Sequence, residues 1–132
     1  MGESANHRKL VELIIEYVGE KVGCDYACFI QSDVIDEHPL PQLTDEGFRP
    51  DVFYEYNGTL IIGEAKTSND IMREHSIRQY ASYLRKCSLY NGSAEFVISV
   101  PWTDQATANN ILKKIKRDYA GEYKITVLKG LL

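Results

Sequence analysis

The sequence predicts a single α/β domain spanning residues 1–132, built on a central mixed β-sheet with helices on both faces. Three observations carry this reading. Two strand-like runs, Asp51 to Tyr56 and Thr59 to Glu64, are separated only by Asn57-Gly58, a strong hairpin signal because both residues tolerate the positive φ of a type I′ turn. Before the hairpin lies a stripe of apolar residues at helical period, and after it helix-period and strand-period segments alternate. Such alternation builds layered α/β sheets rather than bundles or sandwiches.

Each element has its own signal. Leu10, Val11, Ile14, Ile15, Tyr17, Val18 and Val22 fall on one side of a helix from about His7 to Val22, with Asn6 or Ser4 as cap and Gly23 as stop. Tyr26 to Ile30 reads as a short strand. Residues 32–48 form a long acidic connection into the strand that starts at Asp51, placed to lie over the mouth of any site there as a gate, a partner surface or a dimer arm. Thr67-Ser68-Asn69-Asp70 supplies a cap for a helix from about Ile71 to Lys86. A strand from Glu95 to Val100 ends at Pro101, a helix follows from about Gln105 to Asp118, and a last strand covers Tyr123 to Leu128.

Composition narrows the class. With 44% apolar residues in 132, the chain can bury one respectable core. No apolar run reaches the length of a membrane span, and Met1-Gly2-Glu3-Ser4 lacks the basic and apolar regions of a signal peptide. The expectation is a soluble, cytoplasmic protein without a membrane partner. Cys24, Cys28 and Cys87 are odd in number and lack zinc-type spacing, which fits small core residues in a reducing compartment. The net charge of −4 is unevenly divided: residues 1–65 carry −9 and residues 66–132 carry +5. Arg73, Arg78, Arg85 and Lys86 bring positive charge to the helix after Lys66, where they are candidates for phosphate contacts.

The chemistry-bearing residues flank the hairpin. If Asn57-Gly58 is a two-residue loop, Tyr56 pairs with Thr59 and Asp51 falls opposite Glu64. Two acids facing one another across a strand pair repel, unless a cation lies between them. Mg²⁺, with Mn²⁺ as a substitute, suits a few carboxylate oxygens, here with the Ala65 carbonyl as a further ligand. Alternation puts Lys66 on the face of Glu64, and the next helix carries Gln79 and Tyr83 one turn apart. The plainer alternative is a strand-end acid pair balanced by Lys66 or Arg49. Trp102, after Pro101, reads as a packing or turn residue, and His7 carries no readable role.

Asp51, Glu64 and Lys66 in this order resemble the signature of the PD-(D/E)XK, or restriction-endonuclease-like, nuclease superfamily. Gln79-x-x-x-Tyr83 resembles the helix motif of its exonuclease and virus-type replication-repair branches. Glu12, eleven residues before Gly23, matches the spacing of a first-helix glutamate in archaeal Holliday junction resolvases. The resemblance implies a restriction-endonuclease-like core and a metal-dependent deoxyribonuclease. Asp51, Glu64, Ala65 and Glu12 would hold the metal, while Lys66 and Gln79 would position water or phosphate. Junctions, flaps, duplex sites and free ends are all open as substrates, as are roles in repair, recombination or restriction. Nothing in the residues reads the 2′-hydroxyl, so RNA is open as well. A chain this small implies a homodimer or a helper protein for specificity. The rival class is a catalytically inactive relative of the fold that binds protein or nucleic acid.

Overall fold

The computed structural model describes residues 4–131, so the first three residues of the chain and the last lie outside it. Helix α1 (Ala5–Val22) is followed by a 3₁₀ turn (Ala27–Phe29), strands β1 (Val52–Tyr56) and β2 (Thr59–Ala65), helix α2 (Glu74–Leu89), strand β3 (Ser93–Pro101), a second 3₁₀ turn (Trp102–Asp104), helix α3 (Gln105–Lys116) and strand β4 (Lys124–Gly130). The sheet order is β1-β2-β3-β4. β1 and β2 are antiparallel, whereas β2, β3 and β4 run parallel. The sheet is therefore mixed, as expected, and both faces are covered. α1 packs on one face over Val52, Tyr54, Ile61, Ala65 and Val97. The core of the other face joins Phe53, Ile62 and Phe96 to Tyr80 and Tyr83 of α2 and Leu112 of α3.

The hairpin has the expected register. Tyr56 pairs with Thr59 and Val52 with Gly63, and the turn residues Asn57 and Gly58 take φ values of 53° and 79°. One step beyond the last pair, Asp51 stands opposite Glu64. Gly63 lets α1 sit close: a Cβ there would meet Ile14 Cγ2 at 2.5 Å. Ser4 is the α1 cap, accepting from the His7 N–H at 3.1 Å, and Gly23 ends the helix at φ 91°.

Two expectations need correction. Residues Tyr26 to Ile30 are not a strand. After Gly23 the chain closes into tight turns, with Phe29 N–H donating to the Tyr26 carbonyl and Ile30 N–H to that of Ala27. Only Gln31 reaches β1, exchanging both backbone hydrogen bonds with Phe53, which partly shields an otherwise open edge. The second correction concerns α2, which starts at Glu74 rather than near Ile71. Thr67 and Asp70 cap a turn, not the helix: Thr67 Oγ1 bonds Asp70 at 3.2 Å, and the Thr67 carbonyl accepts from the N–H groups of Asp70 and Ile71. That turn drives Ile71 into the core, where its carbonyl accepts from the Tyr80 hydroxyl at 2.9 Å.

The acidic 32–48 connection is pinned along α2. Ser82 Oγ donates to Glu46 at 2.5 Å and accepts from the Thr44 hydroxyl at 2.7 Å, and Arg85 pairs with Glu46 at 3.0 Å. Its negative charge is thus partly spent on α2.

Candidate active site

At the C-terminal end of β2, Glu64 and Lys66 point to the α2 side and are both buried, at 4% and 8% exposure. Burial of two ionisable groups needs partners. The Lys66 ammonium lies 3.5 Å from Glu64 Oε2 and donates to Gln79 Oε1 at 2.5 Å. Gln79 is itself buried and comes from the second turn of α2. Its amide oxygen therefore fixes where the ammonium points.

Glu64 is the electrostatic anomaly of the molecule. Burial first, and the like charge of Asp51 second, push its carboxyl up to about 8, although Lys66 pulls the other way. Glu64 Oε1 is enclosed and accepts no hydrogen bond of good geometry among the described residues, although the Tyr83 hydroxyl stands near enough to favour its charged form. The Tyr83 hydroxyl, one turn beyond Gln79, is likewise enclosed without one. Burial, Glu64 and Asp51 drive that phenol far above its ordinary range, so it is a neutral donor and not a base.

Asp51 completes the group from the other strand. Its Oδ2 accepts from the Ala65 N–H at 2.9 Å, and its own carbonyl accepts from buried Ser32 at 2.8 Å. The N–H and C=O of a strand residue point the same way, so the Ala65 carbonyl also faces the Asp51 side. Two carboxylates and a carbonyl at one strand end, with one carboxylate oxygen unsatisfied, form a donor set that a hard divalent cation could use. Among the described residues, no cluster of three or more His, Cys, Asp or Glu side chains is arranged to hold a metal ion. A cation here would have to complete its shell with water or substrate.

Glu12 does not join them. Its carboxylate is exposed and lies 3.7 Å from Arg8 Nε, one turn back on the same helix. The face of α1 that meets the sheet runs through Leu10, Val11, Ile14 and Val18, and extending that stripe one turn toward the N-terminus gives His7. Glu12 is about 140° around the helix from that position. His7 Nε2 lies 3.4 Å from Asp51 Oδ2. His7 continues the stripe of Leu10 and Val11, but that spacing gives only the face of the helix and not the Asp51 carboxylate that the face meets at its end.

The candidate phosphate-binding residues are engaged within the fold. Arg73 pairs with Asp70 at 3.3 Å, Arg78 with Glu74 at 2.7 Å, and Arg85 with Glu46 at 3.0 Å. Lys86 lies 6.0 Å from the centre of the Phe53 ring. Arg73 and Arg78 are exposed and Arg85 is half-buried, and surface pairs of this kind are weak enough to exchange for phosphate. Arg49 donates to the Pro41 carbonyl, which leaves Lys66 as the cation balancing the acids. His75 packs edge-on against Phe48, with ring centres 5.5 Å apart. Of the two roles expected for Trp102, packing or turn, the structure has the second: it opens a 3₁₀ turn and is 59% exposed.

No helix among the described residues is long and apolar enough to cross a membrane. Comparisons with family models, curated proteins and solved structures give no match to this chain.

Proposed function

We propose that this chain is a metal-dependent nuclease that hydrolyses phosphodiester bonds in DNA, with Asp51, Glu64 and Lys66 at its centre. One observation carries the reading: Glu64 is a buried acid set against Asp51, with one oxygen short of a well-formed hydrogen bond and a carboxyl raised to about 8. A fold keeps such an unfavourable acid where function needs it. Asp51, Glu64 and the Ala65 carbonyl would hold Mg²⁺ or Mn²⁺, which supplies an activated water and offsets charge on the scissile phosphate. Lys66, held by Gln79 and Glu64, donates from a fixed position to a phosphate oxygen or to the attacking water. Gln79 acts through Lys66 as a positioning residue. His7 holds Asp51 from α1 in the place where the resemblance put Glu12. Arg73, Arg78 and Arg85 would trade their surface carboxylate partners for the DNA backbone, and a homodimer or a helper protein would add the contact area that so small a domain lacks.

The test is metal-dependent cleavage of branched, flapped, linear and single-stranded DNA, with matched RNA oligonucleotides alongside. Wild type should cut with Mg²⁺ or Mn²⁺, and Glu64→Ala and Lys66→Ala should not. Nucleic acid binding with no cleavage by wild type, and identical behaviour of Glu64→Ala, would instead establish a catalytically inactive binding module. That no third acidic side chain joins Asp51 and Glu64 among the described residues is the observation that favours that second reading.

A further inference from the structure

On the α1 side of the same sheet end, a cavity of about 700 Å³ opens beside the candidate site. Asn6, the neighbour of His7, and Thr67, the neighbour of Lys66, both line it. Its location follows the general rule that ligands bind beyond the carboxyl ends of parallel strands, here those of β2, β3 and β4. Its lining is mainly apolar, from Leu10, Leu13 and Pro101, and its rim carries the uncharged amides and hydroxyl of Asn6, Asn69 and Thr103. Between Pro101 and Thr103 stands Trp102, an exposed indole and the only tryptophan of the chain.

We infer that this cavity and Trp102 form a subsite for the base of an unpaired nucleotide in the DNA substrate. The inference rests on the nuclease reading above and specifies its substrate. A nucleobase offers two apolar faces and an edge of mixed donors and acceptors. An apolar floor with asparagine amides at the rim matches that combination, because an amide both donates and accepts. The volume lies within the range of small-ligand sites. Glu12, Glu16 and Lys9 also line the cavity; two carboxylates against one ammonium leave the lining net negative, which disfavours phosphate, and the carboxylates accept hydrogen bonds from exocyclic amines, so the base enters and the backbone stays at the carboxylate site. Trp102 does not itself line the cavity, but both its chain neighbours do, so its exposed indole is a stacking face within reach of an adjoining base, a sequence-tolerant way to hold single-stranded nucleic acid. A base inside a continuous duplex cannot enter. The preferred substrate therefore has a flap, a frayed end or a single strand near the scissile bond.

Trp102 is its own reporter. In EDTA, which prevents metal-dependent cleavage, its fluorescence is titrated with a short single-stranded oligodeoxynucleotide and with a blunt duplex of the same sequence. The single strand should quench and the blunt duplex should not. Trp102→Ala should weaken single-strand binding, measured by fluorescence anisotropy of a labelled oligonucleotide, roughly five- to hundredfold, and Trp102→Phe should recover much of the loss. Leu13→Glu, which charges the cavity without touching Asp51, Glu64 or Lys66, should weaken it as well. Equal quenching by both DNAs, or no quenching in a protein that cleaves DNA with Mn²⁺, overturns the subsite and leaves the nuclease reading intact. Absence of both quenching and cleavage overturns both.

Discussion

His7 Nε2 lies 3.4 Å from Asp51 Oδ2, linking the first turn of α1 to the strand-end acid across the edge of the sheet. The same carboxylate oxygen accepts from the Ala65 N–H, so Asp51 is held from two elements. Partners of metal-ligating groups are worth roughly 10–100-fold in metal affinity or activity. His7→Ala should lower metal-dependent cleavage and Mn²⁺ affinity within that range, while His7→Gln, which can still donate, should retain more of both. Isothermal titration with Mn²⁺ checks the affinity apart from turnover. Equal affinities for wild type and His7→Ala would mean that His7 only packs.

The pH behaviour of Glu64 offers a sharper check. Its folded carboxyl stands near 8 against an ordinary 4.5, raised by burial and then by Asp51. A raised acid favours the folded state fully below its unfolded value, and that contribution is lost as pH rises through about 8. Thermal unfolding of the metal-free protein should therefore show a midpoint that falls from pH 5 to pH 8.5, and Glu64→Gln should flatten the fall. Glu64→Gln should also abolish cleavage, the usual cost of removing a strained functional group. Metal binding must expel the Glu64 proton below pH 8, so apparent affinity should climb with pH, by at most about tenfold per unit, and level off above it.

Much of this centre was legible because short-range rules fixed it. Asn57-Gly58 set the hairpin register, which set Asp51 opposite Glu64, and strand alternation put Lys66 on the Glu64 side. Helical spacing put Gln79 and Tyr83 on one face of α2, yet which of them met Lys66 depended on how α2 docks. The role of His7 was not legible from spacing, because a stripe of apolar residues tells which way a helix faces and not what lies beyond its first turn. The choice between packing and turn at Trp102 was open for a related reason: a residue after a strand-ending proline packs inward or turns outward according to the chain that follows, here a 3₁₀ turn. The Tyr26 to Ile30 segment had strand-like residues, but Gly23 led the chain into tight turns instead.

Away from the candidate site, Glu95 is a buried acid of the opposite kind. Burial pushes its carboxyl up, but hydrogen bonds from Lys21, Thr126 and Tyr17, with the Lys21 charge, outweigh that and hold it below its ordinary value. The Tyr17 hydroxyl donates at 2.6 Å and Thr126 at 2.5 Å, so α1 is fastened to β3 and β4. A lowered acid stabilises the fold above its unfolded value, and the contribution fades as pH falls through the folded one. Glu95→Ala should cost about 1–3 kcal/mol near neutral pH through the stranded Tyr17 and Thr126 hydroxyls, and the deficit should shrink under acid. Urea unfolding at pH 7 and pH 3.5 measures both; a deficit independent of pH would assign the loss to packing alone.

Gly63 connects packing to the site more directly. A Cβ at this position would come within 2.5 Å of Ile14 Cγ2 and 3.1 Å of Val52 Cβ, so Gly63→Ala forces α1 away from β2 in a core with little free space. Overpacking of this kind costs about 1–3 kcal/mol. His7 sits two turns before Ile14 on the same face of α1, so the displacement should also lengthen its contact with Asp51. Gly63→Ala should therefore lower stability and, where the protein remains folded, weaken Mn²⁺ binding in the manner of His7→Ala. In an Ile14→Ala background, which removes the clashing Cγ2, Gly63→Ala should cost less stability and less Mn²⁺ affinity than it does in wild type. Recovery of stability without recovery of Mn²⁺ affinity would show that α1 can move without disturbing Asp51.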